Sequence, residues 1–374
     1  MTAHDDRTWS IRPPFVVAGV FLSIFVVFLR PTSAIFLLTW SICQWWPVSL
    51  NMPLQQAAWN YWDSRPIQDN VIGEIPVVDV QQHREDLLDF LEASYGKDWR
   101  KRPLLLRRLW DPSSELNSTS STSRKLSKEG LLKETMVIPY FSDATKDLLA
   151  PDAEAPIRDI VSNITFNNSP HKIATQHFIQ RYPQLIQEVA PIKIVTELFG
   201  NFFEADNLIG SGPFRIFPPL TTVPLFVAWK KNQGPGSPSS DAHSTEPYTR
   251  LHCEPIGNIA VQLSGKKRWT LVLNNFWTWL RPSISPDSRA FLASFLPVKS
   301  LKAIPQYTVT TETGDALWVP TWTWHRVDYV ASGEISIAAS LFHFRPIDFV
   351  TNNPLFATII LPALILEVIG YNTQ

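Results

Sequence analysis

"TRLHCEPIGNIAVQLSGKKRW", residues 249–269, places a histidine and a glutamate two residues apart at the entrance of an apolar strand, with a basic cluster at its exit. In an extended strand, residues i and i+2 project from the same face. His252 and Glu254 therefore aim an imidazole and a carboxylate at one point, with Cys253 turned the other way. An H-x-E triplet alone is a weak signal, because a satisfied His–Glu pair at a strand end is ordinary.

A second stretch gives it weight. "GDALWVPTWTWHRV", residues 314–327, reads as a turn at Gly314-Asp315, a short strand over 316–319, a connection over 320–323, and then His325 in an aromatic setting. His252, Glu254 and His325 together offer two imidazoles and one carboxylate, the ligand set of a facial triad that leaves positions open on a non-haem iron(II). Zinc hydrolases can use the same set, commonly with the histidines in H-E-x-x-H on a helix. The chain has no H-E-x-x-H.

The 374 residues are 45% hydrophobic and 18% charged, enough to bury a core and unlike a disordered chain. A net charge of -1 leaves no electrostatic footprint for nucleic acid. The 15 tryptophans and 31 prolines favour short strands and loops around an aromatic interior over a helical bundle. Two cysteines, Cys43 and Cys253, cannot form a disulfide framework or a Cys-rich zinc module.

Residues 15–29 are an unbroken apolar run, followed by Arg30-Pro31 and a second run from Ala34. Counted through to Trp40, the stretch approaches the roughly 20 residues that span a bilayer. Trp40, Trp45 and Trp46 suit an interfacial belt. An uncleaved anchor is favoured over a cleaved signal peptide, because no small-x-small site follows Leu29. With Arg7 and Arg12 ahead of the span, this implies a single-pass or hairpin anchor in the secretory pathway and a lumenal body. The sequons at Asn117, Asn163 and Asn167 agree with that placement only weakly.

The organisation expected is a polar tail (1–12), a membrane anchor (13–50), a linker (51–75), a mixed α/β extension (76–206), a β barrel (207–345) and a C-terminal apolar helix (346–374). In the extension, "EIPVVDV" (74–80) and "RPLLLRRLW" (102–110) read as strands. Leu87, Leu88, Leu91 and Tyr95 mark an amphipathic helix, residues 113–128 a polar loop, and 172–189 and 191–204 two further helices. The Gly-, Pro- and Ser-rich insertion 232–247 is either a tolerated surface loop or a lid. The C-terminal helix is expected to pack or to form a homodimer, rather than to span a membrane.

The segment 249–345 resembles the jumonji-C (JmjC) group of cupin-like oxygenases, especially its asparaginyl-hydroxylase-like branch. "H-C-E-P-I-G-N … Q-L-S-G-K-K-R-W" followed by "G-D-A-L-W-V-P-T-W-T-W-H" carries the resemblance, and the strands at 74–80 and 102–110 resemble the family's N-terminal extension. The resemblance implies a mainly β fold with flanking helices, in the form of a double-stranded β-helix (jelly-roll), holding Fe(II) on His252, Glu254 and His325. It implies 2-oxoglutarate as cosubstrate, with Lys267 pairing its distal carboxylate, Thr249 as a hydroxyl donor and Asn258 as a further polar contact. Strand alternation turns Lys267 inward if Lys266 and Arg268 point out. A dicarboxylate in an apolar barrel needs such a cation and such donors to offset its desolvation.

The chain departs from the branch at Ser340, where an asparagine is usual, and Tyr140 and Tyr248 are only candidates for a second cosubstrate donor. His243 and His343 fall outside the pattern. The function implied is a 2-oxoglutarate-dependent dioxygenase, a hydroxylase or demethylase, acting on a protein or small molecule that the sequence does not name. Trp318, Trp322 and Trp324 are read either as an aromatic mouth or as barrel packing. A catalytically silent cupin-like binding module and a zinc hydrolase are the alternatives.

Overall fold

The computed structural model describes residues 72–83, 85–110, 126–143, 151–162, 171–175, 177–182, 185, 221–229, 248–284, 291–294, 296, 301, 304–329 and 335–368. The stretch 13–50, nearly all of the linker, the loop up to residue 125, the three sequons, the helix expected over 191–204, the insertion 232–247 and His243 lie outside them.

In chain order the strands are β1 (Ile72–Gly73), β2 (Val77–Asp79), β3 (Leu104–Arg107), β4 (Val137–Phe141), β5 (Ala153–Pro156), β6 (His171–Ala174), β7 (Thr221–Thr222) and β8 (Leu225–Trp229). They continue as β9 (Tyr248–Cys253), β10 (Gly257–Ser264), β11 (Lys267–Val272), β12 (Pro282–Ile284), β13 (Leu292–Ser294), β14 (Gln306–Thr311), β15 (Ala316–Val319), β16 (Trp324–Tyr329) and β17 (Ile335–His343). The α-helices are α1 (Leu87–Tyr95), α2 (Lys128–Leu131), α3 (Ile157–Ser162), α4 (His177–Arg181), α5 (Pro346–Asn352) and α6 (Pro354–Val368). The protein is thus mainly β with a few helices.

One sheet has the order β1-β14-β11-β16-β9-β13-β12. The other runs β2-β3-β15-β10-β17-β8-β6-β4-β5, with β7 also paired to β17. Strands from before residue 207 therefore extend the larger sheet at both ends. The two sheets face each other, because one buried cluster draws Leu105, Ala228, Ala260, Leu317 and Val319 from the larger and Trp269, Leu271, Val309, Val327 and Tyr329 from the smaller. Strand alternation sends the remaining apolar side chains to the two outer faces. Ile259, Val261, Trp318, Val227 and Leu341 meet α1 and the small helices behind the larger sheet.

Behind the smaller sheet, Leu251, Cys253 and Trp324 meet α5 and α6 through Phe349, Phe356, Ile359 and Ile360. The apolar C-terminal stretch is thus two helices that break at Asn353, and α6 backs the strands that carry His252 and His325. At 15 residues α6 would reach about 22 Å along its axis, short of a hydrocarbon core of about 30 Å. No helix among the described residues is long and apolar enough to cross a membrane. This corrects the expectation of a membrane-anchored protein with a lumenal barrel; residues 15–40, on which it rested, lie outside the described residues.

Two local readings change. The segment expected to be helical from residue 172 begins as β6, which pairs with β8 on one side and β4 on the other before α4 follows. Ladder hydrogen bonds on both edges outweigh a helical pattern in so short a segment. Of the strand expected over 74–80, only Val77–Asp79 forms, as β2; residues 74–76 are irregular, and Pro76 lacks an N–H. β1 joins β14 in the smaller sheet, whereas β2 joins β3 in the larger, so this segment crosses between the sheets.

Two glycines are required by their turns. Gly265, between β10 and β11, has φ +70, and a Cβ there would lie 2.7 Å from the Ile335 carbonyl oxygen. Gly314, ahead of β15, has φ +92, and a Cβ there would lie 2.5 Å from the Trp110 carbonyl oxygen. The Gly314-Asp315 turn is tied down by the Asp315 carboxylate, which pairs with Arg107 and accepts the backbone N–H groups of Arg108 and Glu312.

Candidate metal centre

The centre forms where β9 ends beside the start of β16. The β9–β16 register sets His252 opposite His325, and the ladder then shifts by a residue before Val327 meets Thr249. The backbone N–H of Val327 donates to the Thr249 hydroxyl oxygen at 3.0 Å, which repairs the irregularity and leaves the Thr249 O–H able to donate elsewhere. Glu254 follows directly after β9, and its carbonyl accepts from the Trp322 N–H at 3.0 Å. That bond locks the 320–323 turn onto the first stretch. Trp322 sits at φ +66, strained for a side chain of its size, and its indole N–H is anchored to the Phe349 carbonyl of α5 at 2.9 Å.

One ligand atom each from His252, Glu254 and His325 can lie within 4.8 Å of the others, so the cluster could hold a metal ion. His252 Nε2 lies 3.8 Å from Glu254 Oε1, and the two imidazole centroids are 4.2 Å apart. Each ring is held by its other nitrogen: His252 Nδ1 donates to the Arg250 carbonyl at 2.7 Å, and His325 Nδ1 to the Thr323 carbonyl at 3.1 Å. A carbonyl can only accept, so both Nδ1 atoms carry a proton, and Nε2 is the nitrogen each ring turns to the cluster. Burial, with repulsion from His252 added, pushes the His325 pKa down to about 4, so this ring is a neutral ligand at physiological pH. His325 is 5% exposed, whereas the His252 and Glu254 side chains are 19% and 22% exposed, which leaves one flank of the centre open.

Farther along the same inter-sheet face lies Lys267. It pairs with Thr311 of β14 and Tyr329 of β16, four residues along β11 from Leu271, the cross-strand partner of His325. That separation is about 13 Å of strand. Lys266 and Arg268 point to the exposed side, and Lys266 pairs with Glu312 there. Lys267 is 2% exposed, and its Nζ lies 5.3 Å from the Phe226 ring centroid and 5.2 Å from that of Tyr329. No carboxylate among the described residues faces it, and burial alone pulls its pKa down to about 7.

Gln262 and Trp269, on the same face, are hydrogen-bonded. Gln262 Nε2 donates to Ser264, Ser336 and Ile337, and the Trp269 indole N–H donates to Thr311. Asn258 resembles Lys267 instead: it shares the face of Ala260 on β10, is buried, and its Oδ1 has no hydrogen-bond partner among the described residues. Ser340 lies next to it, opposite Ala260 on β17.

Other candidates fall elsewhere. Trp318 packs behind the larger sheet and donates to the Arg100 carbonyl, while Trp322 and Trp324 pack under α6. The rings beside the centre are Phe291, 5.8 Å from His252, and Trp269, 6.0 Å from His325. Tyr140 packs against the cluster behind the larger sheet, away from the inter-sheet face. The side chain of Tyr248 lies outside the described residues. His343, at the end of β17, is buried and held neutral by burial, its pKa pushed down to about 4.

Two residues that the sequence did not single out complete this face. Tyr329 lies beside Lys267, and its hydroxyl is 2.8 Å from Nε2 of the buried His171 on β6. Tyr329 was accessible by parity, being four residues past His325 on one strand. His171 was not, because its segment was read as the approach to a helix.

No protein-family model matches the chain, and no curated protein matches it either.

Proposed function

We propose that this protein is an Fe(II)- and 2-oxoglutarate-dependent oxygenase, with the two facing sheets forming a double-stranded β-helix of the jumonji-C kind. The observation that carries the reading is the combination of a two-histidine, one-carboxylate cluster with a buried lysine that, among the described residues, faces no carboxylate on the same inter-sheet surface. Burial without a partner disfavours the charged form of Lys267, and an anionic ligand beside it would restore that charge. The inter-sheet face presents Lys267 and the Thr249 O–H to that ligand, and Asn258 could meet it only through its side-chain N–H groups.

The donor set fits the metal. Two imidazoles anchored through Nδ1, with Nε2 turned to the cluster, and one carboxylate suit a borderline divalent cation and leave room for further ligands. When bound, iron(II) with 2-oxoglutarate supplies oxidation of a substrate C–H bond by dioxygen, coupled to decarboxylation of the keto acid to succinate. The chain holds the ligands on two adjacent strands, neutralises the distal carboxylate with Lys267, and keeps that end dry with Phe226 and Tyr329. Substrate would approach on the flank where His252 and Glu254 are exposed. Hydroxylation and N-demethylation are the same C–H chemistry on different targets.

The test is metal analysis of the purified full chain, then succinate release from 2-oxoglutarate under air with a panel of peptides and metabolites. Iron-dependent succinate formation supports the reading. Tight zinc binding with no response to 2-oxoglutarate would replace it with a hydrolase or a silent binding module.

A further inference from the structure

The inter-sheet face carries a polar pair that the His252–Glu254–His325 cluster does not use. Tyr329 comes from the smaller sheet and His171 from the larger, and their 2.8 Å hydrogen bond joins the sheets at full burial. Packing alone would be served as well by two apolar side chains, without desolvating a phenol and an imidazole. The Tyr329 ring also lies against Lys267 Nζ, so the pair borders the one buried ammonium on this face among the described residues. The upstream candidate for a second carboxylate donor, Tyr140, is on the wrong side of the larger sheet.

We infer that Tyr329, oriented by His171, is the second hydrogen-bond donor to the distal carboxylate that Lys267 attracts. This rests on the 2-oxoglutarate reading above. The chemistry lies in the direction of the His171–Tyr329 bond. If His171 Nε2 accepts, the phenol proton is spent on the imidazole and only oxygen lone pairs face the ligand. If Nε2 carries the imidazole proton, it donates to the phenol oxygen, and the Tyr329 O–H is released towards the carboxylate. An anion beside Lys267 favours the second arrangement, which lines up N–H and O–H dipoles towards negative charge. The imidazole keeps one N–H and the phenol one O–H throughout, so the relay moves a tautomer and not a charge. Burial, reinforced by the Lys267 charge, holds the His171 pKa down to about 3 and so keeps the ring neutral in both arrangements.

The experiment compares 2-oxoglutarate with 2-oxobutyrate, which has the same keto-acid end but no distal carboxylate, by calorimetric titration of the zinc-loaded full chain. Tyr329→Phe should weaken 2-oxoglutarate binding about tenfold to a hundredfold and leave 2-oxobutyrate unchanged. His171→Leu should act in the same direction, and His171→Gln, which restores an N–H donor, should recover part of the loss. In 15N-histidine spectra of the wild type, His171 should move to the Nε2–H tautomer with 2-oxoglutarate but not with 2-oxobutyrate. Equal losses for both keto acids, or none for either, would reduce the pair to a structural contact and overturn the inference while the parent reading stands. If Tyr329→Phe does not fold, an unchanged His171 tautomer in the wild type overturns it instead. A wild-type protein that binds neither keto acid removes the parent reading and this inference together.

Discussion

His252 and His325 are direct cross-strand partners, set opposite each other by the β9–β16 register with their rings 4.2 Å apart. The same strands turn Cys253 and Trp324 to the other face, where α6 covers them. One antiparallel pair therefore builds the metal-facing surface and its hydrophobic support together.

Replacing His252, Glu254 or His325 by alanine removes a ligand atom outright. Each variant should lose more metal affinity than the 10- to 100-fold typical of losing a supporting group. Equilibrium dialysis with iron(II) and zinc(II) measures this. Retention of full affinity by any one variant would take that residue out of the centre.

Lys267→Ala should behave differently. Metal binding should survive, because Lys267 lies about 13 Å of strand from the cross-strand partner of His325, while the 2-oxoglutarate requirement rises about tenfold to a hundredfold. Loss of metal as complete as in His252→Ala, or an unchanged 2-oxoglutarate dependence, would refute the role given to Lys267.

The depressed pKa of Lys267 makes cosubstrate binding pH-dependent. The folded-state value is lowered from 10.5 to about 7 by burial, so the unfolded chain gains this proton first as pH falls. Its contribution to stability is present above the unfolded value and is lost between about pH 10.5 and 7. A carboxylate beside Nζ favours the ammonium form, so binding near pH 8.5 should take up about one proton, and affinity should fall as pH rises. Titrations in buffers of different ionisation enthalpy measure that uptake. Wild type and Lys267→Met giving the same value would exclude Lys267 as its source.

Gly265→Ala should destabilise the fold. The left-handed backbone costs about 1–2 kcal/mol for a residue with a Cβ, and the added methyl would meet the Ile335 carbonyl oxygen at 2.7 Å. Because the obstacle is backbone, the turn that starts β11 must shift. Urea unfolding should show a lower midpoint with an unchanged slope; an unchanged midpoint would mean that the turn can relax without cost.

Phe356→Ala probes the support beneath the centre. The ring meets Trp277 at 5.2 Å, Trp322 at 5.5 Å and Trp324 at 6.1 Å, at steep angles, and is fully buried. Truncation should cost about 3–5 kcal/mol, read as a fall in the thermal midpoint of the metal-free protein. A midpoint within a degree or two of wild type would show that α6 is not integral to the core.

Much of the site was legible because strand alternation is a local property. The shared direction of His252 and Glu254, the opposite turn of Cys253, and the burial of Lys267 between exposed Lys266 and Arg268 all follow from a period of two in one extended segment. Helix α1 was legible for a similar reason, its apolar residues recurring at helical spacing. The mainly β character followed from short apolar runs broken by Pro, Gly and Ser.

What alternation cannot supply is which distant segments meet. β6 is a strand because β4 and β8 flank it, and neither partner is visible in its own four residues. The irregular residues 74–76 carry the chain from β1 in the smaller sheet to β2 in the larger, a choice made by the edges available at β14 and β3. The three tryptophans of the second stretch look alike in sequence, yet all of them pack away from the His252–Glu254–His325 cluster, and Trp269 and Phe291 take the positions beside the histidines. The His171–Tyr329 bond joins residues 158 apart in sequence across two sheets. By itself the sequence determined which way each side chain leaves its own strand, because the alternating geometry of extended backbone does that. Only the tertiary structure decided which of those side chains face one another, because register and sheet packing depend on the whole set of strands burying their apolar faces together.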